Sequence, residues 1–391
     1  MPAIQLTKFR IQVLRMTFCI FLAPVLLSLC SAFGTGTEDA SNFFSVMRGE
    51  ADAGFARAFE PMEFEFPRDH GPHLRYKIEW WYYTGNLKSD GGEDFGYQLT
   101  FFRSALTPQV QERSSNFSAN QIYMAHFALT DASRGEFYSF ERFSRGAAGL
   151  AGASGEPTYS VWLEDWSARE TDSGVVRLSA VDDQTDPGAG IHLTLRETRP
   201  AVLHGDRGLS QKAPEPGNAN YYYSLVGLVT TGFVTVDGKK KTVSGVSWMD
   251  HEFGTSALAK GVVGWDWFSI QLDNGAALML YCFRRTDQTR DSQTFEGTLA
   301  YPDGGQVAIR PGDFTLTVTR NWKSPETGIR YPSGWRVALP KLNCQFSIEP
   351  LISNQELHTE FTYWEGAVRV EGEFNGAPVS GWGYTELTGY Q

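Results

Sequence analysis

The chain is poor in cysteine and lacks the short motifs of common hydrolases. Its 391 residues include four cysteines, and no CxxC pair, GxSxG or HExxH motif occurs. Cys282 and Cys344 lie in strand-like apolar runs, where a buried free thiol behaves as a small hydrophobe. These absences argue against a thiol oxidoreductase, a zinc finger, a hydrolase with a nucleophile elbow and a zincin protease. The sequence therefore predicts neither a metal nor a cofactor.

Positive charge is scarce relative to negative charge. The sequence contains 34 lysines and arginines against 45 aspartates and glutamates, which gives a formal net charge of −11. An acidic protein is repelled by nucleic-acid phosphates and by anionic lipid head groups. We therefore expect no nucleic acid as a partner, and the sequence does not indicate an oligomeric state.

The first 32 residues have the pattern of an export signal. Three basic residues precede a mostly apolar run over 16–29, and small residues follow it. This run is shorter than the roughly 20 residues that a membrane-spanning helix needs. We interpret 1–32 as a signal peptide and expect a secreted or periplasmic protein. Lipoprotein anchoring at Cys30 is a less favoured alternative, because Leu29 is a poor residue before a lipidated cysteine.

Alternation of apolar and polar residues predicts an almost all-β protein. Ile191, Leu193 and Leu195 alternate with polar residues, as in a strand with one wet face. Asn274-Gly275 and Asp237-Gly238 each predict a tight hairpin, because these dipeptides readily adopt positive φ angles.

The length remaining after the signal peptide exceeds what one hydrophobic core usually supports, so we expect two domains. Residues 33–60 show little pattern and are interpreted as a linker. We place an N-terminal domain at 61–255 and a C-terminal domain at 256–391.

An aromatic strand pattern occurs twice, with the tryptophan pairs 185 residues apart. The run that begins at Glu79-Trp80-Trp81-Tyr82 passes a glycine-rich turn and returns to Arg103. The run that begins at Trp265-Asp266-Trp267-Phe268 turns at Asn-Gly and returns to Arg284. We infer a duplicated antiparallel meander. Such meanders tend to close, and a barrel of about 8 to 10 strands can hold one small ligand.

The most unusual stretch is Trp248-Met249-Asp250-His251-Glu252, where three consecutive ionisable side chains follow an aromatic residue. In a strand Asp250 and Glu252 share one face, whereas His251 points to the other. Buried ionisable groups need partners, and strongly coupled carboxylates beside aromatic residues are frequent in functional sites. We interpret the two acids as the polar end of an aromatic cavity. The alternative is an acidic clamp on a tryptophan N–H or an arginine at a domain junction.

These residues suit the hydration or isomerisation of a carbon–carbon double bond. Two carboxylates that lie close together in an apolar cavity repel each other, so one of them holds a proton at neutral pH. A neutral carboxyl group can then protonate an alkene. The faces of Trp265 and Trp267, which share one side of a strand, would stabilise a nearby cation by roughly 0.5–2 kcal/mol. Asp250 and Glu252 are therefore the candidate catalytic residues.

The candidate ligand-binding residues lie in the same aromatic and acidic runs. Glu79 also has a structural interpretation, as the partner of Arg103 at the base of a barrel. The sequence does not rank Glu365 against Glu386. The full set is Glu79, Trp80, Trp81, Trp248, His251, Trp265, Trp267, Trp364, Glu365, Tyr384 and Glu386.

Several runs together resemble the AttH/CrtC family, which includes carotenoid 1,2-hydratase and predicted secreted hydrolases. They occur in the family's order from about residue 60 to the end. The resemblance implies two lipocalin-like (calycin-like) β-barrels in tandem and a pocket for a long apolar or polyene-like molecule. The runs are Pro67–His73, Glu79–Leu87, Trp248–Phe253, Gly264–Phe268, Tyr331–Trp335, Tyr363–Gly366 and Gly383–Tyr390.

Three functions remain open from the sequence. The first, which we favour, is an exported hydratase- or isomerase-like enzyme that acts on an apolar isoprenoid or polyene. The second is a non-catalytic periplasmic protein that binds a lipid and serves a membrane-associated export system. The third is a structural envelope protein whose tryptophans only build the barrels. No motif supports hydrolysis.

Overall fold

The computed structural model describes residues 54–108, 120–183, 188–255, 259, 261–287, 289–291 and 294–391. The signal peptide predicted at 1–32 and the larger part of the predicted linker lie outside these residues. The described residues form 25 β-strands and two 3-10 turns of three residues each. The prediction of an almost all-β chain is confirmed. No helix in the described segments is long and apolar enough to cross a membrane.

The first sheet contains thirteen antiparallel strands in the spatial order β4-β3-β2-β1-β13-β12-β9-β8-β7-β6-β5, with β10 and β11 paired to β12. The strands are β1 (Ile78–Ser89), β2 (Asp94–Ala105), β3 (Gln121–Asp131), β4 (Glu136–Arg145), β5 (Ala151–Ser154), β6 (Ser160–Leu163), β7 (Trp166–Asp172), β8 (Val175–Asp182), β9 (Ala189–Arg196), β10 (Val202–Leu203), β11 (Leu209–Gln211), β12 (Ala219–Val236) and β13 (Lys239–Gly254).

The second sheet contains ten antiparallel strands in the order β17-β16-β15-β14-β25-β24-β22-β21-β18, with β23 paired to β24, while β19 and β20 form a separate hairpin. The strands are β14 (Val262–Leu272), β15 (Ala277–Arg285), β16 (Glu296–Ala300), β17 (Gln306–Ile309), β18 (Thr315–Val318), β19 (Asn321–Lys323), β20 (Arg330–Pro332), β21 (Trp335–Leu339), β22 (Cys344–Pro350), β23 (Glu356–Leu357), β24 (Tyr363–Phe374) and β25 (Ala377–Leu387).

Both sheets are built around the same central pairing. The first long strand of each pairs with the last, β1 with β13 and β14 with β25. The orders β4-β3-β2-β1-β13-β12 and β17-β16-β15-β14-β25-β24 correspond strand by strand, as the repeated aromatic pattern predicts. The first sheet curls into a nearly closed barrel, in which β6 packs against β2, β3 and β4. The second is a half-barrel. The predicted pair of tandem lipocalin-like barrels is confirmed, but no hydrogen-bonded ladder among the described strands completes either ring.

Both predicted hairpins form, but only Asp237-Gly238 has the two-residue turn with a positive φ at each position, whereas at Asn274-Gly275 only the glycine has one. Asp237 and Gly238, with φ angles of 49° and 69°, join β12 to β13, and Gly275, with φ of 83°, helps to join β14 to β15. A side chain with a Cβ rarely adopts such angles, which explains the choice of glycine at these turns.

Packed side chains fill the interior of each barrel. Trp81, Tyr83 and Phe127 belong to the core of the first barrel, and Trp335 and Trp364 belong to the core of the second. Because these side chains fill both interiors, neither interior is the aromatic cavity that the sequence predicts.

Cys282 and Cys344 are buried and free.

A third apolar cluster lies between the barrels. Successive residues of a strand point to opposite faces, so residues that alternate with the core of one barrel face the other barrel. Tyr82, Tyr222 and Trp248 of the first barrel meet Trp267 and Tyr384 of the second in this way. Strands β1, β13 and β14 are consequently buried on both faces over much of their length.

Candidate functional site

A cavity of about 90 Å³ opens between the two barrels. Ten of its sixteen lining residues are aromatic, and three of the others are carboxylic acids. The lining residues are Trp80, Tyr82, Phe102, Lys212, Asn220, Tyr222, Asp250, Glu252, Trp265, Trp267, Tyr281, Phe283, Phe361, Tyr363, Glu386 and Thr388.

Strand alternation brings the acids of the first barrel to this cavity. Trp80 and Tyr82 are two residues apart on β1 and share its outward face. Glu252 lies opposite Trp80 on β13, and Asp250 lies opposite Tyr82. The two acids therefore share one face of β13, as predicted, while His251 between them points into the barrel.

Asp250 is buried and accepts hydrogen bonds from three side chains. The Trp248 indole N–H donates to Oδ1 over 2.6 Å, the Tyr222 hydroxyl donates to Oδ2 over 2.7 Å, and the Ser224 hydroxyl also donates to Oδ1. Burial raises the pKa of Asp250 to about 7, while the bonds from Ser224, Tyr222 and Trp248 act to lower it. The group is thus arranged as an acceptor, in a charge state that changes near neutral pH.

A chain of hydrogen bonds connects Asp250 to the second barrel. Nε2 of the buried His204 lies 2.6 Å from the Ser224 hydroxyl, and Nδ1 lies 2.9 Å from the Thr298 hydroxyl on β16. Burial lowers the pKa of His204 to about 3, so its ring is neutral at physiological pH. When Ser224 donates to ionised Asp250, it accepts from Nε2–H, and Thr298 then donates to Nδ1. The charge of Asp250 therefore determines which group donates and which accepts in each hydrogen bond from Asp250 to Thr298.

Glu252 faces a cation rather than a hydroxyl. Its Oε1 lies 2.8 Å from the Lys212 ammonium and accepts a hydrogen bond of 2.7 Å from the Asn220 amide. The ammonium also lies 5.2 Å from the ring centre of Tyr222 and 5.1 Å from that of Tyr281. Glu252 and Lys212 thus form an ion pair beside two aromatic rings of the cavity wall.

Glu386 brings a third acid from the second barrel. It lies opposite Trp267 across the β14–β25 ladder and accepts a hydrogen bond of 2.8 Å from the Trp265 indole N–H. Burial raises its pKa to about 8, and the charges of Asp250 and Glu252 contribute in the same direction. A carboxyl group with this pKa holds a proton near neutral pH, so Glu386 is a candidate proton donor in the cavity.

Glu365 lies behind the cavity wall, opposite Glu386 on β24. It is fully buried, and the Tyr82 hydroxyl donates a hydrogen bond of 2.8 Å to its Oε2. Burial raises its pKa well above the usual range, and Glu386 adds to the effect. This arrangement links a cavity-lining residue of the first barrel to a neutral carboxyl group of the second.

The structure does not bring all predicted ligand-binding residues to the cavity. Trp81 lies in the core of the first barrel, stacked on His251 with ring centres 5.0 Å apart, and Trp364 lies in the core of the second. Trp248 and Tyr384 are buried in the cluster between the barrels without lining the cavity. Of the predicted set, Trp80, Trp265, Trp267 and Glu386 line it, together with both candidate catalytic acids.

Glu79 has the structural place that the alternative interpretation gives it. Inside the first barrel its Oε2 accepts a hydrogen bond of 2.8 Å from Arg103 Nε, and both side chains are fully buried. Burial acts to raise the pKa of Glu79, but Arg103, His251 and His73 together hold it well below its usual range. The Glu79–Arg103 pair anchors the segment around His73 at the base of the barrel.

One group among the described residues has the composition of a metal site. His73, Glu79 and His251 offer ligand atoms within 4.8 Å of one another. Glu79 Oε1 already lies 2.9 Å from His73 Nδ1 and 2.9 Å from His251 Nε2, and Arg103 neutralises its charge. A divalent cation would stand beside this arginine, so the group fits a buried hydrogen-bond network better than a metal centre.

Several lining residues were missed in the sequence. Tyr82 belongs to the aromatic run that was singled out, and Tyr222 is the middle of three consecutive tyrosines, so alternation could have indicated both. Lys212 lies in an irregular connection before β12 and carries no pattern. Its pairing with Glu252, 40 residues later, follows only from the folded structure.

The fold and the sequence agree with known relatives. A family model described as AttH-like matches residues 57–390, and the chain belongs to that family. The crystal structure of a putative AttH from Nitrosomonas europaea is 32% identical, with a TM-score of 0.76, and the match covers 86% of this chain and 100% of that one.

Two more distant structures share the fold. Kievitone hydratase from Nectria haematococca is 15% identical with a TM-score of 0.65, and the match covers 86% of this chain and 96% of the hydratase. CghA in complex with Sch210972 is 16% identical with a TM-score of 0.52, and the match covers 87% and 97% of the two chains. No curated protein matches the chain.

Proposed function

We propose that the protein is a hydratase-like enzyme that adds water to, or isomerises, a double bond at one end of an apolar isoprenoid or polyene. The observation that carries this proposal is a pair of acids with different partners in one aromatic cavity. Asp250 accepts three side-chain hydrogen bonds, and Glu386 accepts one among the described residues. This difference suits one acid to accept a proton and the other to donate one.

The reaction starts with proton transfer from neutral Glu386 to the less substituted carbon of the double bond. The π electrons form the new C–H bond, and positive charge develops on the tertiary carbon, where Trp80, Trp265 and Trp267 present their rings. Water adds to this carbon and gives its proton to the Asp250 carboxylate. The net change is alkene plus water to tertiary alcohol, and proton exchange with solvent resets both acids. Loss of a neighbouring proton instead of water addition gives the isomerised alkene.

The cavity volume limits how much of the ligand enters. About 90 Å³ accommodates a branched five-carbon end and a few waters, not a complete long polyene. The rest of such a molecule would extend through the opening between the barrels. The ligand class is therefore a long apolar molecule with a reactive isoprenoid end.

The relatives are compatible with this proposal, and the predicted signal peptide adds a location to it. A hydratase is among the structural neighbours, but at 15% identity the likeness shows a shared fold only. The predicted signal peptide would place the reaction outside the cytoplasm, in the periplasm or the medium. The partner is then an apolar small molecule or lipid in the envelope.

A non-catalytic lipid-binding protein, which could serve a membrane-associated export system, is the second candidate. The aromatic lining favours it, because ten rings in sixteen positions would bind an apolar molecule without any chemistry. On this proposal the acids are structural acceptors within each barrel, since Asp250 accepts from the N–H of Trp248 and Glu386 from that of Trp265.

The test is incubation of the purified protein with acyclic polyenes and with short isoprenoid alkenes in water enriched in ¹⁸O. We expect a tertiary alcohol that carries the label, detected by mass spectrometry. Asp250→Asn and Glu386→Gln should keep the fold and abolish turnover. Asp206→Asn is the matched control, because this acid is exposed and lies in the loop between β10 and β11.

The two candidates give different results in one experiment. Tryptophan fluorescence quenching by the same polyenes reports binding, since three tryptophans line the cavity. Quenching without labelled product from any probe would favour the lipid-binding protein. Loss of thermal stability in Asp250→Asn, with turnover retained in the folded fraction, would contradict the catalytic role.

A further inference from the structure

Five buried polar atoms between the barrels have no hydrogen-bond partner among the described residues. The side chains that carry them are at most 7% exposed. We call these five residues the polar seam. The atoms are Thr84 Oγ1, Asn86 Oδ1 and Gln98 Oε1 of the first barrel, and Glu365 Oε1 and the Tyr384 hydroxyl of the second.

The strand register places the polar seam in one patch. Thr84 lies opposite Gln98 in the β1–β2 ladder and between Tyr82 and Asn86 along β1. Both of these neighbours reach the second barrel: the Tyr82 hydroxyl donates to Glu365, and the Asn86 amide donates to the Gly383 carbonyl over 3.0 Å. Thr84 is thus enclosed between two hydrogen bonds that join the barrels.

The free energy of five unsatisfied groups is too large for a stable protein to leave uncompensated. Each buried donor or acceptor without a partner destabilises the folded state. Five such groups together would cancel much of the net free energy of unfolding of a typical protein. A partner must therefore reach these atoms, and the described protein groups do not supply it.

Any partner must be small, because the sheets approach each other closely beside the polar seam and leave no room for a side chain larger than that of glycine at position 96. A Cβ added to Gly96, the residue opposite Asn86 on β2, would come within 2.3 Å of the Ala367 Cβ on β24. Water is the smallest partner that both donates and accepts, and a buried water typically makes about three hydrogen bonds to polar groups that otherwise have none.

The polar seam adjoins the cavity through two residues. Tyr82 lines the cavity and donates to Glu365, and Glu386, which also lines the cavity, lies opposite Glu365 in the β24–β25 ladder. The polar seam therefore borders the cavity at Tyr82 and Glu386, beside the group that we assign as the proton donor.

We propose that the polar seam holds a row of ordered water molecules that is continuous with the cavity and supplies the water for its chemistry. The supply role rests on the proposed hydration; the presence of the water does not. In the reaction one water adds to the tertiary carbon and loses its proton to Asp250. A further water from the row takes its place, so an apolar ligand that blocks the opening does not cut off the second substrate.

The test replaces two polar groups of the seam by apolar groups of nearly the same shape, in the double variant Thr84→Val, Gln98→Leu. The matched control is Thr385→Val, which removes a buried unpartnered hydroxyl on the other face of β25. Crystal structures at a resolution that shows ordered water would compare the wild type with both variants. Magnetisation transfer from long-lived water to amides of β1 and β24 would report the same difference in solution.

We expect waters bound to at least two seam residues in the wild type and in the control, and their loss in the double variant. Labelled product should fall at least tenfold in the double variant, while fluorescence quenching by the polyene is unchanged. A wild-type seam in which side chains bond directly to one another, without water, would overturn the proposal. Loss of the waters with an unchanged hydration rate would overturn the supply role. If no probe is hydrated at all, the proposed function fails while the crystallographic result still decides whether the seam is hydrated.

Discussion

In the first barrel the residue opposite Tyr82 is Asp250, and in the second barrel the residue opposite Trp267 is Glu386. Tyr82 and Trp267 occupy the same position in the duplicated pattern, 185 residues apart. The two acids are therefore counterparts, one from each barrel, and both face the cavity. The cavity lies between corresponding surfaces of the two barrels. Each surface contributes one acid, and the two acids occupy the same position in the strand register.

The counterparts differ in what the neighbouring strand offers them. Asp250 lies opposite Ser224 on β12, whose hydroxyl donates to it. Glu386 lies opposite a second acid, Glu365, on β24. Burial is the main cause of the raised pKa of both groups, about 7 for Asp250 and about 8 for Glu386, and the nearby charges of Asp250 and Glu252 add to the rise at Glu386. Equivalent strand positions therefore carry acids with different hydrogen-bond partners.

The bases of the barrels show a second contrast. Glu79 pairs with Arg103 inside the first barrel, and both side chains are 0% exposed. Inside the second barrel Asp266 pairs with Arg290 over 2.6 Å, but the arginine side chain is 23% exposed. The two ion pairs occupy different positions in the duplicated pattern and differ in their access to water, which should decide what happens when one partner is removed.

The largest effect we expect is the loss of stability in Glu79→Gln. It leaves the Arg103 charge buried without its carboxylate, which typically costs about 3–5 kcal/mol. Asp266→Asn in the second barrel should cost less, because Arg290 can turn toward solvent. Urea denaturation followed by tryptophan fluorescence would measure both variants.

The pair Glu79→Leu with Arg103→Met should recover part of the stability, since it removes both charges together but leaves the His73 amide and the Tyr76 carbonyl without their side-chain partners. Equal losses in Glu79→Gln and Asp266→Asn would show that exposure does not distinguish the two anchors.

A smaller effect is expected at the cation that only the first barrel contributes. Lys212→Met leaves Glu252 in an aromatic cavity with Asn220 as its remaining partner. We expect the free energy of unfolding to fall by about 2 kcal/mol, because a buried charge without its partner is destabilising. Adding Glu252→Thr, which copies the counterpart Thr388, should restore stability. A double-mutant cycle in thermal denaturation checks this. Additive losses in the double variant would mean that the two residues do not interact.

The pH dependence of stability should distinguish the two counterpart acids. The pKa of Glu386 is about 8 in the folded protein against 4.5 for the free side chain. Its ionisation therefore reduces stability progressively as the pH rises from 4.5 to 8, and the whole penalty is present above pH 8. Glu386→Gln should gain melting temperature relative to the wild type between pH 5 and pH 9. Asp250→Asn should gain less, since the amide accepts the three hydrogen bonds less well. If the difference in melting temperature between Glu386→Gln and the wild type does not change with pH, the raised pKa of Glu386 is contradicted.

Much of the fold could be predicted from the sequence, because hairpin dipeptides and alternation act locally. Asn274-Gly275 and Asp237-Gly238 determine their turns by backbone sterics alone, whatever surrounds them. The repeated aromatic run also identified the corresponding first strands, β1 and β14. The shared face of Asp250 and Glu252 follows from the period of a strand.

The location of the cavity could not be predicted in this way. Strand β1 is buried on both faces, so alternation separates Trp80 from Trp81 without showing which of them faces the barrel interior. The role of Glu386 depends on distances between the barrels, and that of Lys212 depends on an irregular connection. Long-range packing decides both, and no local pattern carries it.

The smallest effect is expected for Ser224, the hydroxyl residue that lies opposite Asp250 where Glu365 lies opposite Glu386. Ser224→Ala removes one of three donors to Asp250 and leaves those from Tyr222 and Trp248. A lost hydrogen bond to the charged form raises the pKa of a carboxyl group, so the pKa of Asp250 should move from about 7 toward that of Glu386. The carboxyl carbon of ¹³C-labelled aspartate, followed by NMR between pH 5 and pH 9, would report the change.

The control is His192→Ala, since His192 is an exposed histidine on β9 that contacts the Ser179 hydroxyl. An unchanged pKa of Asp250 in Ser224→Ala would mean that burial alone sets its charge. The two acids would then be separated by their depth in the cavity and not by the donors of the neighbouring strand.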